Sequence, residues 1–247
     1  MTLEEPMLRT ILFFTAFWII MLLSLLFLVP LLILSIPGLG KAKEGYVLAI
    51  TRFWAKYVLF SGGAKIEVKG LENLPEDKNI CIVANHQSYY DIPLIMATIP
   101  RIVGFVAKKE LRYMPFISTW MKQIGCVFLD RKNPRQALAT FDEGAQQIRN
   151  GKAKLIFPEG TRSRGGAMGS FKPGALKLAF RADAIIVPVS IDGTYRLLEE
   201  KGKINPARAT VTIHPPVSAA SLNREEQKKT AETVARLLAS AIGGSGR

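Results

Sequence analysis

A chain of 247 residues can bury one sizeable core, with room for a small appended element. Its 33 basic against 20 acidic residues give a net charge of +13, which together with 49% hydrophobic residues describes a protein seated on an anionic membrane surface. Nucleic acid is disfavoured as a partner, because acidic residues are interspersed among the basic ones and no Lys/Arg-rich tail is present. The two cysteines, Cys81 and Cys126, lie in apolar runs, which argues against a disulfide framework and leaves no Cys-x-x-Cys pair for a metal or redox centre.

The first element is apolar. Residues 11–36 include no charged side chain, and as a helix they would be about 39 Å long, enough to cross a hydrocarbon core of roughly 30 Å. The run is too long for a signal-peptide core and no Ala-x-Ala-like site follows it. Pro30 interrupts it and Pro37-Gly38, with Gly40, ends it. Residues 41–60 then place Tyr46, Val47, Ile50, Phe53, Trp54 and Tyr57 at helical spacing, with Lys43, Arg52 and Lys56 between them. Two readings of this second helix stand: an interfacial return helix, or a core helix of the globular part.

From Lys65 short apolar runs alternate with helical stretches. Strands are expected at 65–69, 80–84, 102–107, 126–129, 154–157, 185–191 and 209–214, and helices near 91–97, 114–123, 134–149, 174–182 and 225–242. The expected architecture is an α/β domain at 63–242 with a largely parallel mixed sheet covered by helices. A membrane-anchoring helix hairpin at 1–62 precedes it and a flexible tail at 243–247 follows.

Chemistry concentrates where apolar runs end. Asn85-His86-Gln87-Ser88-Tyr89-Tyr90-Asp91 follows the run 80–84 and supplies one of only two histidines in the chain, with a carboxylate five positions on. On one continuous helix the two side chains would point about 140° apart. They meet if His86 stays in the loop and Asp91 opens a helix, an arrangement Pro93 supports because proline suits a first turn. The plain alternative is Asp91 as an N-cap and His86 as a satisfied loop residue. A second turn, Phe157-Pro158-Glu159-Gly160-Thr161-Arg162-Ser163, offers a glycine for a close bend and an arginine fork suited to phosphate. Its plain alternative is a Glu159–Arg162 salt bridge. Gly125-Cys126-Val127-Phe128-Leu129-Asp130-Arg131 delivers a second arginine to a strand end. Ile186-Val187-Pro188-Val189 puts a proline inside a strand, the mark of an edge or a bulge. His214, before Pro215-Pro216, reads as a structural strand-end residue.

These four stretches, in this order, resemble the glycerolipid acyltransferase family, and within it the bacterial 1-acyl-sn-glycerol-3-phosphate acyltransferases. That group carries Asn-His-x-x-x-x-Asp, Gly-x-x-Phe-x-x-Arg, Phe-Pro-Glu-Gly-Thr-Arg-Ser and a Val-Pro-Val block; all are present here at 85–91, 125–131, 157–163 and 186–189. The resemblance implies acyl transfer from acyl carrier protein or acyl-CoA to lysophosphatidic acid at an anionic membrane, on the cytoplasmic face of the inner membrane, with no cofactor, metal or nucleic acid. His86 would be the general base and Asp91 its support. Arg131, Glu159, Gly160, Thr161 and Arg162, with Lys108, would bind the phosphate. Asn85, Gly125, Phe128, Pro158, Ser163 and Pro188 would shape the site. Other acceptors, glycerol 3-phosphate or another lysophospholipid, fit the same motif set. A Ser-His-Asp hydrolase lacks its Gly-x-Ser-x-Gly elbow, and a non-enzymatic phospholipid binder would not need His86.

Overall fold

The computed structural model describes residues 4–76, 79–165, 167–172 and 174–242; the expected tail at 243–247 lies outside the described residues. Its strands are β1 (Ala64–Lys69), β2 (Ile80–Ala84), β3 (Val103–Lys108), β4 (Val127–Leu129), β5 (Ala153–Ile156), β6 (Ile185–Asp192), β7 (Ala207–Ile213) and the short β8 (Val217–Ser218). They form one sheet in the order β1-β7-β6-β2-β5-β3-β4, with β8 beside β6. β6, β2, β5, β3 and β4 run parallel to their neighbours in that series, and the antiparallel pairs are β6–β7 and β6–β8. Each strand of the expected set is found, with ends shifted by at most two residues; β8 was not anticipated.

The helices are α1 (Glu4–Leu23), α2 (Val29–Leu34), α3 (Gly40–Gly62), α4 (Asp91–Thr98), α5 (Ile117–Gln123), α6 (Pro134–Arg149), α7 (Lys177–Arg181) and α8 (Arg224–Ser240). Their ends follow local chemistry. Asn133 caps α6 through bonds to the Arg135 and Gln136 amides, with Pro134 as first residue. Asn223 and Glu226 close a reciprocal capping box on α8. Gly63, at φ +77°, ends α3 in the left-handed conformation that lets the chain turn into β1.

β2 shows why the sheet needs two covers. Ile80, Ile82 and Ala84 belong to a core shared with α3 and α4, while Cys81 and Val83 belong to one shared with α6, α7 and α8. Alternation of side chains along a strand produces this split, and burial on both faces explains why the run is apolar throughout. Burial pushes the Cys81 and Cys126 thiols up to about 12, as expected of packing residues. Lys154 of β5 is also fully buried: its ammonium donates to the Gly125 carbonyl at 2.6 Å and to the Gln147 side chain, and burial lowers its pKa to about 8.

Of the two marks expected of Pro188, the bulge is found: the partner register of β6 slips by one residue between Val189↔Ile213 on β7 and Ile186↔Val217 on β8. β6 is an inner strand, not an edge. The Pro188 carbonyl accepts from the His214 amide at 2.9 Å. A strand residue's C=O and N–H point to the same side, so the missing donor faces the point where residues 214–216 interrupt pairing between β7 and β8. His214 is structural, as read: the Ser190 hydroxyl donates to the Leu238 carbonyl at 3.0 Å and sits 2.7 Å from His214 Nε2.

The N-terminal segment is a broken rod. α1 passes through a 3-10 stretch, Ser24–Leu28, into α2, which has Pro30 at its start; the proline ring would clash with the carbonyl four residues back, so the regular helix cannot run through it. Arg9 reaches the Ser61 carbonyl (3.4 Å), the Tyr46 hydroxyl donates to the Phe27 carbonyl (2.9 Å) and Lys43 donates to the Ser35 hydroxyl (3.1 Å). That contact order is the one antiparallel neighbours make. α3 has the buried face that the core-helix reading requires: Val47, Thr51, Ala55, Val58 and Leu59 are buried, while Phe53 and Phe60 on its other side are 73% and 82% exposed. Leu12, Phe14, Trp18, Ile19, Leu22, Leu26, Leu32 and Ile33 of the rod are exposed as well.

Candidate active site

Five parallel strands end along one edge of the sheet, and ligands of such sheets sit beyond the strands' carboxyl ends. His86 follows β2, the turn 157–163 follows β5, Lys108 ends β3 and Arg131 comes two residues after β4. Topology therefore gathers onto one edge the residues that the sequence scatters over nearly eighty positions.

The loop after β2 is held from below. The Asn85 amide donates to the Ile191 carbonyl (2.8 Å) and its oxygen accepts from the Ile191 amide (2.7 Å), so it pins the loop to β6. Gln87 accepts from the Gly193 amide at 3.0 Å. Asp91 opens α4 and is fully buried. Its Oδ2 accepts from the Gln87 and Ser88 amides (2.7 and 2.9 Å) and faces His86 Nδ1 at 2.7 Å, while its Oδ1 accepts from the Thr194 hydroxyl at 2.6 Å. Asp91 is thus both the helix-start acceptor and the histidine's partner. An ionised carboxylate only accepts, so Nδ1 carries the hydrogen and Nε2 keeps a lone pair. The imidazole lies flat on the Phe157 ring, centroids 3.9 Å apart and planes 11° off parallel, and the histidine side chain is 18% exposed. A fixed imidazole with an open Nε2 can remove a proton from a hydroxyl.

The turn after β5 is stitched to that loop. The Ser163 amide donates to the His86 carbonyl (2.8 Å) and the Arg164 amide to the Gln87 carbonyl (3.2 Å). Glu159, expected on the phosphate, is spent internally: Oε1 accepts from the His86 amide and Oε2 from the Gly169 amide, both at 2.6 Å. Burial raises its pKa against the lowering effect of those two bonds. It therefore shapes the backbone under the histidine. Pro158 is buried and accepts from the Lys172 amide (3.0 Å).

Gly160, at φ +70°, makes the bend that lets its carbonyl meet Arg131 at 2.7 Å. Arg131, Thr161 and Lys108 are exposed at the sheet edge. Neighbouring Lys109 is bonded to Asp130 (2.7 Å). Phe128 packs against the core within β4, but Gly125, expected to shape the site, precedes β4 and so lies at the other end of that strand, held by Lys154.

Arg162 does not pair with Glu159. Its NH1 donates to Glu199 at 2.9 Å, and its guanidinium lies 3.5 Å over the Tyr89 ring. Thr194 and Glu199 were not found by reading the sequence. Thr194 is 103 positions from its partner Asp91, and Glu199 is 37 from Arg162; no local spacing links them.

With this geometry in view, the relatives are informative. A family model described as acyltransferase matches residues 65–192. The chain is 35% identical over 244 residues to a probable 1-acyl-sn-glycerol-3-phosphate acyltransferase of Mycoplasma pneumoniae, covering 87% of this chain and 89% of that protein. It is 30% identical over 174 residues to the 1-acyl-sn-glycerol-3-phosphate acyltransferase of Borreliella burgdorferi, with 70% of each covered. The crystal structure of the 1-acyl-sn-glycerophosphate acyltransferase from Thermotoga maritima superposes with a TM-score of 0.79 at 30% identity, covering 96% of this chain and 95% of that one.

Proposed function

The chain belongs to the acyltransferase family, and from that premise we propose that it moves an acyl chain from a thioester to the sn-2 hydroxyl of lysophosphatidic acid, giving phosphatidic acid. The observation that carries this reading is the His86–Asp91 pair sharing one sheet edge with Arg131, Arg162 and Lys108. A base and a cationic cluster suit an acceptor that carries both a hydroxyl and a phosphate.

His86 Nε2 takes the hydroxyl proton while the oxygen's electron pair forms the new C–O bond to the thioester carbonyl. Collapse of the tetrahedral adduct breaks the C–S bond, and the departing thiolate receives the proton from His86. Asp91 stabilises the imidazolium between those steps. General-base assistance supplies about 10²–10⁴ in rate; alignment of hydroxyl and thioester supplies much of the rest. No enzyme serine takes part in this scheme, and the Ser88 hydroxyl is bonded to Glu199 at 2.6 Å.

The thioester belongs to acyl carrier protein or acyl-CoA, and the phosphate is held by Arg131, Arg162 and Lys108, with Gly160 and Thr161 forming the turn beside it. The exposed apolar rod of α1 and α2, with Phe53 and Phe60 of α3, enters lipid as an anchoring hairpin and keeps the site on the cytoplasmic face of the inner membrane, where acceptor and product reside.

The test is turnover by the purified full-length protein in mixed micelles, with lysophosphatidic acid or glycerol 3-phosphate as acceptor and both donors. Phosphatidic acid forms, and His86→Ala loses it by about a thousandfold or more while keeping the fold. Acylation of glycerol 3-phosphate alone, or full turnover by His86→Ala, would overturn the proposal.

A further inference from the structure

We propose that Glu199 is a positioning residue for the reaction: it holds Arg162 and the His86 loop at a set spacing, so that the acceptor's phosphate and the base are presented together. This rests on the phosphate role of Arg162 proposed above. Glu199 lies outside the matched segment 65–192, and it touches both halves of the site. Its Oε1 accepts from the Arg162 guanidinium and from the Tyr89 amide, each at 2.9 Å, and its Oε2 accepts from the Ser88 hydroxyl at 2.6 Å. The Ser88 hydroxyl in turn receives the Tyr90 amide at 3.0 Å.

The carboxylate side chain is only 7% exposed, so these bonds work in a medium that strengthens them. Its own backbone is fixed. The Leu198 and Glu200 amides both donate to the Tyr195 carbonyl, and Leu197 is fully buried. The same short segment secures the rest of the loop, with the Gly193 amide on Gln87 and the Thr194 hydroxyl on Asp91. Residues 193–199 therefore form a back wall against which Gln87, Ser88, Tyr89 and Asp91 are all set.

Pairing with Glu199 aims Arg162 and leaves most of its binding capacity free. A guanidinium has five N–H donors in a rigid fork. Glu199 engages one nitrogen, the Tyr89 ring covers one face, and the remaining edge is left for an anion. An arginine held this way loses little freedom when a phosphate arrives. Without Glu199 it would keep its charge and lose its direction.

Steady-state kinetics of the full chain in mixed micelles test this. Glu199→Gln is expected to raise KM for lysophosphatidic acid about tenfold, the size of one charge-assisted bond, with kcat reduced less than threefold. In an Arg162→Ala background the same change should move KM less than twofold, because the residue through which Glu199 acts is gone. Glu199→Asp, which keeps the charge but withdraws it by one methylene, should fall between wild type and Glu199→Gln, and provides the test if the glutamine variant fails to fold. An unchanged KM in Glu199→Gln, or equal KM effects in both backgrounds, would show a purely structural carboxylate. If Arg162→Ala itself leaves KM unchanged, the phosphate reading of Arg162 falls and this inference with it. A raised KM in Arg162→Ala with none in Glu199→Gln refutes this inference alone.

Discussion

Asp91→Asn separates the charge of the carboxylate from its geometry. An asparagine oxygen can take the place of Oδ2, accepting from the Gln87 and Ser88 amides and from His86 Nδ1, while its NH₂ meets the Thr194 hydroxyl, which can rotate to accept. The loop and the proposed acceptor site then survive, and what disappears is the negative charge facing the imidazolium of the proposed mechanism. With N···O at 2.7 Å, the charge centres are about 4 Å apart, and at an effective dielectric of about 20 their attraction is about 4 kcal/mol. That corresponds to about a thousandfold in kcat, with KM for lysophosphatidic acid changed less than threefold. Thiol release from acyl-CoA, followed alongside thermal unfolding, measures both. If kcat falls less than tenfold in a variant of unchanged melting point, Asp91 acts only as a hydrogen-bond acceptor, and the electrostatic part of the mechanism is wrong.

Lys154 makes stability depend on pH in a definite direction. Its pKa is lowered from 10.5 to about 8 in the fold, so between those values the unfolded chain binds a proton that the native state does not, and stability contributed by this group rises with pH through that window and is lost as pH falls through 8. Measured by urea unfolding, wild type should gain on Lys154→Met by about 3 kcal/mol from pH 7 to pH 10.5; a difference that stays flat would show that the ammonium is not paying for its burial. On the outer side of α3, Phe53→Ser with Phe60→Ser should reduce sedimentation with anionic vesicles at least severalfold and leave the melting point within about 2 °C, because these rings are exposed outside the core and belong to the proposed membrane-facing surface. Unchanged sedimentation would remove that face of α3 from the membrane contact.

What could be read from sequence and what could not divide along a physical line. The run 80–84 announced a doubly covered strand, and Pro93 announced that Asp91 opens a helix; both signals are local, and both elements formed where expected. Pro188 was legible as a ladder defect, but its place inside the sheet depends on where β7 and β8 part, which only the fold decides. The turn 157–163 was recognised, yet the partners its two charges find inside the fold were not. Glu159 binds backbone amides and Arg162 binds Glu199, because adjacency in a turn says nothing about the direction each side chain takes. Residues 41–60 showed helical periodicity with apolar groups on more than one side. That pattern now has a cause: one face packs on α4 and the other is left bare.

The flat contact between the imidazole of His86 and the ring of Phe157 fixes a direction of approach. Asp91 occupies Nδ1 and Phe157 one face, so torsional freedom of the imidazole is removed from both sides. As the proposed base, His86 is a stationary reference, and the incoming glycerol backbone would have to do the rotating. Its hydroxyl has to arrive near the plane of the ring, along the Nε2 lone pair. Under the proposed mechanism, regiochemistry then becomes a matter of reach: with the phosphate seated on arginine, the carbinol at the correct distance along the glycerol chain would meet Nε2, and one a carbon nearer or farther would not.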